Sequence, residues 1–428
     1  MTPFTRKTPS VRRRAAFGAA TLVLAAYPFA TAHADPLSFD DALALALRDA
    51  PAFTAHAARL ESARQRVTPA GQLPDPMLVL GLDNLPIQGA DRFSLSDEAM
   101  TMKRIGVTQA FPNRAKREAR SEAARWRAEL AEAQTRITQT SVLRDTAIAW
   151  IGLATVERQL AKIDALFDEN RLMKSAVVAK LSSGPAAAVE SVAPRFEAAM
   201  IEERRDDLRA RRAQAVATLR RYIGDAADAP LAGSAPEWAI DGSTLAHNLH
   251  QHPELTAFGP QAGLLTAELA EAQAAKKPDW TLELAYQNRG SQFGDMVSLQ
   301  VSFDLPVFDG ARQNPLIAAK RAEQSVLAAE REVMARDHAW TLETELAEFE
   351  RVSNAARRQR DVLVPLAVEK VTLALAAWRG AQGTLTDLLA ARRERIDTEL
   401  KAIALEGERK QLAARLHYGY GNQVGGQS

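Results

Sequence analysis

From Asn113 to Lys180 the chain runs for 68 residues with no proline and a single glycine, Gly152. No other feature narrows the fold as much. As one helix that run spans roughly 100 Å at about 1.5 Å per residue, more than three times the ~30 Å width of a small domain. Ala149, Leu153, Val156, Leu160, Ile163 and Phe167 are spaced 4, 3, 4, 3, 4, a heptad seam. The seam by itself is ordinary coiled-coil packing; the length is what informs.

A second long helical run covers about Ala311 to Leu416. It holds Pro365, which removes a backbone donor and kinks a helix. It is broken only at Gly380-Ala381-Gln382-Gly383. This reads as the tip of a long helical hairpin, with Thr384 to Arg392 starting the returning helix. The same hairpin occurs earlier: at a constant shift of 197 positions Leu181-Ser182-Ser183-Gly184 falls on Trp378-Arg379-Gly380-Ala381, Glu190 on Asp387, Ala217 on Ala414, Leu219 on Leu416 and Gly224 on Gly421. Pro51 and Pro76 recur as Pro253 and Pro278, and Pro112 as Pro306. An internal repeat decides the architecture before any local reading does. Residues 35–230 form one structural repeat with a tip near 181–185, and 231–421 form the second with a tip near 379–384. Residues 422–428 read as a flexible tail. In each repeat the order is helix, helix, strand, loop, strand, long helix, tip, helix.

The strands are expected at about 77–84, 102–111, 281–288 and 296–305. In the last, Val297, Leu299, Val301, Phe303 and Leu305 alternate with Ser298, Gln300, Ser302 and Asp304. Such alternation suits a strand with lipid on one face and water on the other, and equally a half-buried strand of a soluble protein. The export signal described next and the matching strand pair in the other half favour the membrane. Four strands cannot close around a channel, and a sheet in lipid cannot leave its edges open. The chain must pool strands with its own copies; three copies supply twelve.

Residues 1–34 carry Arg6, Lys7 and Arg12 to Arg14, then an apolar run from Ala15 to Ala30, then Ala32-His33-Ala34. This is the pattern of a cleaved export signal, and the run is shorter than the ~20 residues of a spanning helix. Asp35 stands where a lipidated chain has its cysteine, and the whole chain has no cysteine. No lipid anchor, disulfide or thiolate metal site is therefore expected. Without the signal, 49 basic residues face 53 acidic ones, a balance that gives nucleic acid no footing. There is no phosphate loop, no Gly-x-Ser-x-Gly and no cysteine nucleophile, so neither an enzyme nor a cofactor is expected.

Taken together, these residues resemble the TolC family of outer-membrane efflux channels over essentially the whole mature chain. The most specific stretch is Pro365-x-Ala367, Trp378-x-x-Ala381 and Leu385-x-Asp387-Leu388-Leu389-x-Ala391; the family's tip glycine stands here as Ala381, flanked by Gly380 and Gly383. Asn84-Leu85-Pro86 and Gly106 to Pro112 fit as well. The resemblance implies a mostly α fold with membrane β: a homotrimer with a twelve-stranded barrel in outer-membrane lipid above a periplasmic α-barrel. It implies docking onto a periplasmic adaptor (membrane fusion) protein and an inner-membrane RND-type pump. Leu73-Pro74-Asp75-Pro76, with Arg114, Lys116 and Arg117 after Phe111-Pro112, is most similar to the branch serving heavy-metal exporters (CzcC- and CusC-like). Drug efflux and type I secretion use the same scaffold. A soluble periplasmic coiled-coil adaptor is the alternative of another class, disfavoured because hairpin and strands are both duplicated.

The resemblance also assigns candidate residues. Asp387, with Glu190 as its counterpart in the first repeat, is expected to line the constriction at the periplasmic tip. Threefold symmetry would set six carboxylates around one axis, a ring that attracts cations. Gly184, Gly380, Ala381 and Gly383 form the tip turns expected to dock the adaptor. His247, His250 and His252 do not converge on a helix, and a metal site wants three or four convergent ligands; a structural or solvated role is expected for them. Met100 and Met102 are expected to be lipid- or core-facing.

Overall fold

The computed structural model describes residues 36–183 and 192–421. Residues 1–34, expected to be an export signal, Gly184, Glu190 and residues 422–428, expected to be a tail, lie outside the described residues. The first half contains α1 (Phe39–Asp49), α2 (Pro51–Gln65), α3 (Val67–Ala70), β1 (Met77–Asp83), β2 (Met102–Phe111), α4 (Arg114–Ser183) and α5 (Ala193–Ile223). The second repeats the order with α6 (Gly242–Asn248), α7 (Pro253–Thr256), α8 (Phe258–Ala274), β3 (Trp280–Asn288), β4 (Met296–Phe303), α9 (Gln313–Arg358), α10 (Val364–Arg379) and α11 (Leu385–Tyr420). No described helix is long and apolar enough to cross a membrane.

Local chemistry explains the boundaries. Ser38 caps α1, its Oγ accepting from the Asp41 N–H at 3.1 Å, and Asp40 and Asp41 suit the positive end of the helix. Helix α4 is continuous over 70 residues, as the proline-free run requires. Its seam is buried at Leu153 and Ile163, with Val156, Leu160 and Phe167 half-buried beside Ile201 and Leu208 of α5 and Ile396 of α11. Above that seam, Trp150 anchors a larger core with Phe39, Ala42, Leu219 and Ile223. Gly407 lets α11 approach α4, since a Cβ there would collide with Thr155.

Pro365 does not end its helix. Residues Gln359–Leu363 widen into a π turn, placing Pro365 in the first turn of α10, where a missing N–H is tolerated. Helices α9 and α10 therefore follow one another with no loop between them.

The four strands form one antiparallel sheet in the order β1-β2-β3-β4. The pairing of β2 with β3 joins the two repeats, while β1 and β4 are its two outer edges. β4 ends at Phe303, short of the expected Leu305, because Pro306 follows closely and cannot donate to a ladder. Met102 opens β2 opposite Asp83, and Met100 lies exposed in the preceding loop.

Candidate functional site

The strand register sorts the sheet into two unlike faces. Residues directly opposite in antiparallel strands share a face. Leu78, Val107, Leu284 and Leu299 form one row, and Leu80, Ile105, Tyr286 and Val297 the next. All eight side chains are exposed, Leu80 and Val297 each at 70%. Phe111, Trp280 and Phe303 close this apolar face at the end next to the helices, with the Phe111 and Trp280 rings stacked at 4.0 Å. The other face carries Thr108, Glu283 and Gln300 in one row and Arg104 and Gln287 in another. There Arg104 pairs with Glu283 and reaches Asp83 at 3.8 Å. A soluble sheet buries its apolar face; this one leaves that face exposed, while Thr108 and Ala285 on the polar face are buried.

At the other end of the long helices, α10 turns into α11. The Gln382 N–H donates to the Ala377 carbonyl at 2.9 Å and the Ala381 N–H to that of Trp378 at 3.3 Å. This is the Schellman closure, which needs a left-handed residue at the position Ala381 occupies, and Ala381 has φ 58°. An alanine there is strained by about 1–2 kcal/mol relative to glycine. Ala381→Gly is therefore expected to slow hydrogen exchange in the tip amides, with stabilisation of roughly 1 kcal/mol. Gly383 packs closely on the turn: a Cβ at that position would lie 3.1 Å from the Cβ of Ala377.

Thr384 caps α11: its Oγ1 accepts from the Asp387 N–H at 3.1 Å and donates to Asp387 Oδ2 at 2.6 Å. The Thr384 N–H reaches the same carboxylate at 3.3 Å. Asp387 is exposed, and the Thr384 hydroxyl and N–H hold its carboxyl below the usual range. It thus has a structural occupation, the capping box, while its free edge faces solvent. Behind it Trp378, Leu385 and Leu388 pack on Val177 of α4, tying the two hairpins together.

One helical turn deeper lies a charge cluster that sequence reasoning missed. Glu197 of α5 and Arg392 of α11 are 6% and 4% exposed, with Arg392 Nε 3.7 Å from Glu197 Oε1. Arg392 also lies 3.9 Å from Glu169 of α4, which pairs with Arg395 at 2.5 Å. Neither Glu197 oxygen has a hydrogen bond. Burial pushes the Glu197 carboxyl up, opposed by the Arg392 and Arg393 charges. Nothing in the local pattern distinguishes Glu197 from the many solvated acids of α5; its burial comes with the packing of α5 beside α4 and α11.

A second cluster lies far from the tip, where His252, the residue capping α7, meets His338 of α9 with ring centroids 4.0 Å apart. His338 Nε2 is 3.0 Å from Glu254 Oε2, and Nδ1 is 3.4 Å from the Tyr420 hydroxyl. Burial and the nearby His338 push His252 down to about 4, so its imidazole is neutral at physiological pH. His247 and His250 stack edge-on with one another and take no part.

The sheet and the hairpins define a class: a helical-hairpin protein whose strands are built for an apolar surround. Several solved structures share this fold. A membrane protein from Pseudomonas aeruginosa matches at TM-score 0.77 and 16% identity, over 90% of this chain and 90% of that one. CusC, solved in conformations accompanying folding and transmembrane channel formation, matches at 0.74 and 14%, over 91% and 93%. The outer membrane protein VceC from Vibrio cholerae matches at 0.74 and 17%, over 90% and 96%. The chain thus has the fold of the TolC-type outer-membrane channels, and its structural neighbours are channels rather than enzymes. No protein-family model and no curated protein matches its sequence.

Proposed function

We propose that this chain is the outer-membrane exit duct of a tripartite efflux pump. Three copies pool their sheets into a twelve-stranded barrel, and their hairpins form the periplasmic tube beneath. The observation that carries this reading is the sheet, apolar and exposed on one face, polar on the other, with two edges open. Lipid satisfies the first face, a water-filled lumen the second, and neighbouring copies the edges. Phe111, Trp280 and Phe303 suit the periplasmic membrane interface, where aromatic rings concentrate. A soluble periplasmic scaffold would leave that face in water, and membrane fractionation distinguishes the two: a scaffold washes off, a barrel needs detergent. The signal over 1–34 would deliver the chain, without a lipid anchor.

The tip turns at Gly380 to Gly383 would meet the periplasmic adaptor, with an RND-type pump of the inner membrane supplying energy. Heavy-metal cations are the proposed cargo, on the similarity of the Leu73-Pro74-Asp75-Pro76 element and the basic start of α4. A deletion strain tested against Cu, Ag, Zn, Co, Cd and Ni salts beside dyes and antibiotics decides this. Sensitivity to one or a few metals supports it; broad dye and antibiotic sensitivity alone assigns the duct to drug efflux.

Asp387 would serve the constriction with the carboxylate edge its cap leaves free. Asp387→Asn retains an acceptor for Thr384 while removing the charge. It is expected to leave trimers intact, raise leak, and weaken block by divalent cations in single-channel recordings. Unaltered leak and block would leave Asp387 as a helix cap alone.

A further inference from the structure

The cavity around His338, about 620 Å³, is lined by residues of α4, α5, α7, α9 and α11. His252, Glu254 and His338 each present one ligand atom there, all within 4.8 Å of one another. From these three residues we infer a binding site for a divalent transition cation of the zinc and copper(II) class. The inference goes beyond the duct reading and does not depend on what the duct exports.

The donor set fits such an ion. Two imidazoles and a carboxylate with an open fourth position is a zinc ligand set, and imidazole favours zinc, copper and nickel over magnesium and calcium. With metal–ligand bonds of roughly 2.0–2.2 Å, tetrahedral ligands sit about 3.3–3.6 Å apart. His338 Nε2 and Glu254 Oε2, at 3.0 Å, are already close to that spacing. Only His252 has to swing inward; its ring packs on those of His338 and Tyr420, and its hydrogen bond is a long one, from the Glu254 N–H to its Nδ1 at 3.3 Å. A metal on that nitrogen would replace the weak cap.

Charge points the same way. The cavity lining holds three carboxylates, Asp145, Glu254 and Glu345, against two guanidiniums, Arg144 and Arg415. Arg144 bonds Asp145 at 2.8 Å and Arg415 lies 3.7 Å from Glu345. Glu254 is left with a histidine as its partner, and a cation between them would complete its charge. The Tyr420 hydroxyl near His338 Nδ1 supplies the outer-shell contact that orients a ligating imidazole. Bound metal would staple α7 to the middle of α9.

The test is calorimetric titration of ZnCl2 into the full mature protein in detergent, without a polyhistidine tag. The expected result is saturable binding of one Zn²⁺ per chain. His338→Gln and His252→Asn, the latter keeping a capping side chain, should each weaken it by at least the roughly 10–100-fold that loss of an outer-shell partner costs. Co²⁺ added to the unsubstituted protein should give the visible absorption of a low-coordinate imidazole site, a readout independent of whether the variants fold. Absence of saturable zinc binding would overturn the site, as would binding that survives both substitutions. Failure here leaves the duct reading untouched, because fractionation and susceptibility report on that separately.

Discussion

A Leu299→Arg chain is expected to keep its helices and fail at membrane assembly. Leu299 lies in the middle of β4, paired with Leu284 and 69% exposed on the apolar face. Arginine on the lipid side of a barrel costs about 2–4 kcal/mol near the bilayer midplane. Three symmetric copies would multiply that to roughly 6–12 kcal/mol per trimer, comparable to the whole stability of many domains. Gln300→Arg, one residue on, projects to the other face beside Glu283 and is expected to assemble. The measurement is the fraction of detergent-extracted trimer in the outer-membrane fraction for each variant. Assembly of Leu299→Arg with failure of Gln300→Arg would reverse the faces and with them the proposed lumen.

The second large effect is expected at the tip, from Arg392→Met. Removing one partner of a buried pair strands the other, at a cost of about 3–5 kcal/mol. Here the stranded group is Glu197, already without hydrogen bonds. Loosening of α5 from α11 should appear as faster tip exchange and proteolysis and as a leakier closed duct. Replacing both, as Arg392→Met with Glu197→Leu, should restore much of the loss, because an apolar pair of similar volume is often no worse than a buried ion pair. A double variant as damaged as the single would show that Arg392 acts chiefly through Glu169.

This cluster also sets a pH dependence. Folding raises the Glu197 pKa, chiefly through burial. A carboxyl raised on folding contributes stability that is fully present below its unfolded value and lost as pH rises through the folded one. Tip stability should therefore fall as pH rises from the ordinary carboxylate range through the raised pKa. Glu197→Gln should flatten that slope. In Arg392→Met the slope should steepen, since the opposing positive charge is gone and protonation at low pH relieves the stranded acid.

The sequence alone determined the elements and their repetition. A 68-residue stretch without proline and with a 4-3 apolar seam reads as one long helix, and period-two alternation over Val297 to Phe303 reads as a strand with unlike faces, because both patterns arise from backbone geometry within the segment. The Gly380 to Gly383 turn was legible for the same reason, whereas the left-handed backbone of Ala381 came only with the structure. Tertiary structure alone decided which side chains far apart in sequence come together. His252 looked like a failed neighbour of His250 until α9 brought His338 against it. Glu197 and Arg392 looked like solvated helix charges until α5 and α11 closed over them. Burial, and the charge behaviour that follows from it, depends on which helices pack together, and no local period encodes that. Asp387 belongs with what the sequence determined: its place in the chain marked it as a tip residue, and its capping box with Thr384 is likewise local, three residues apart.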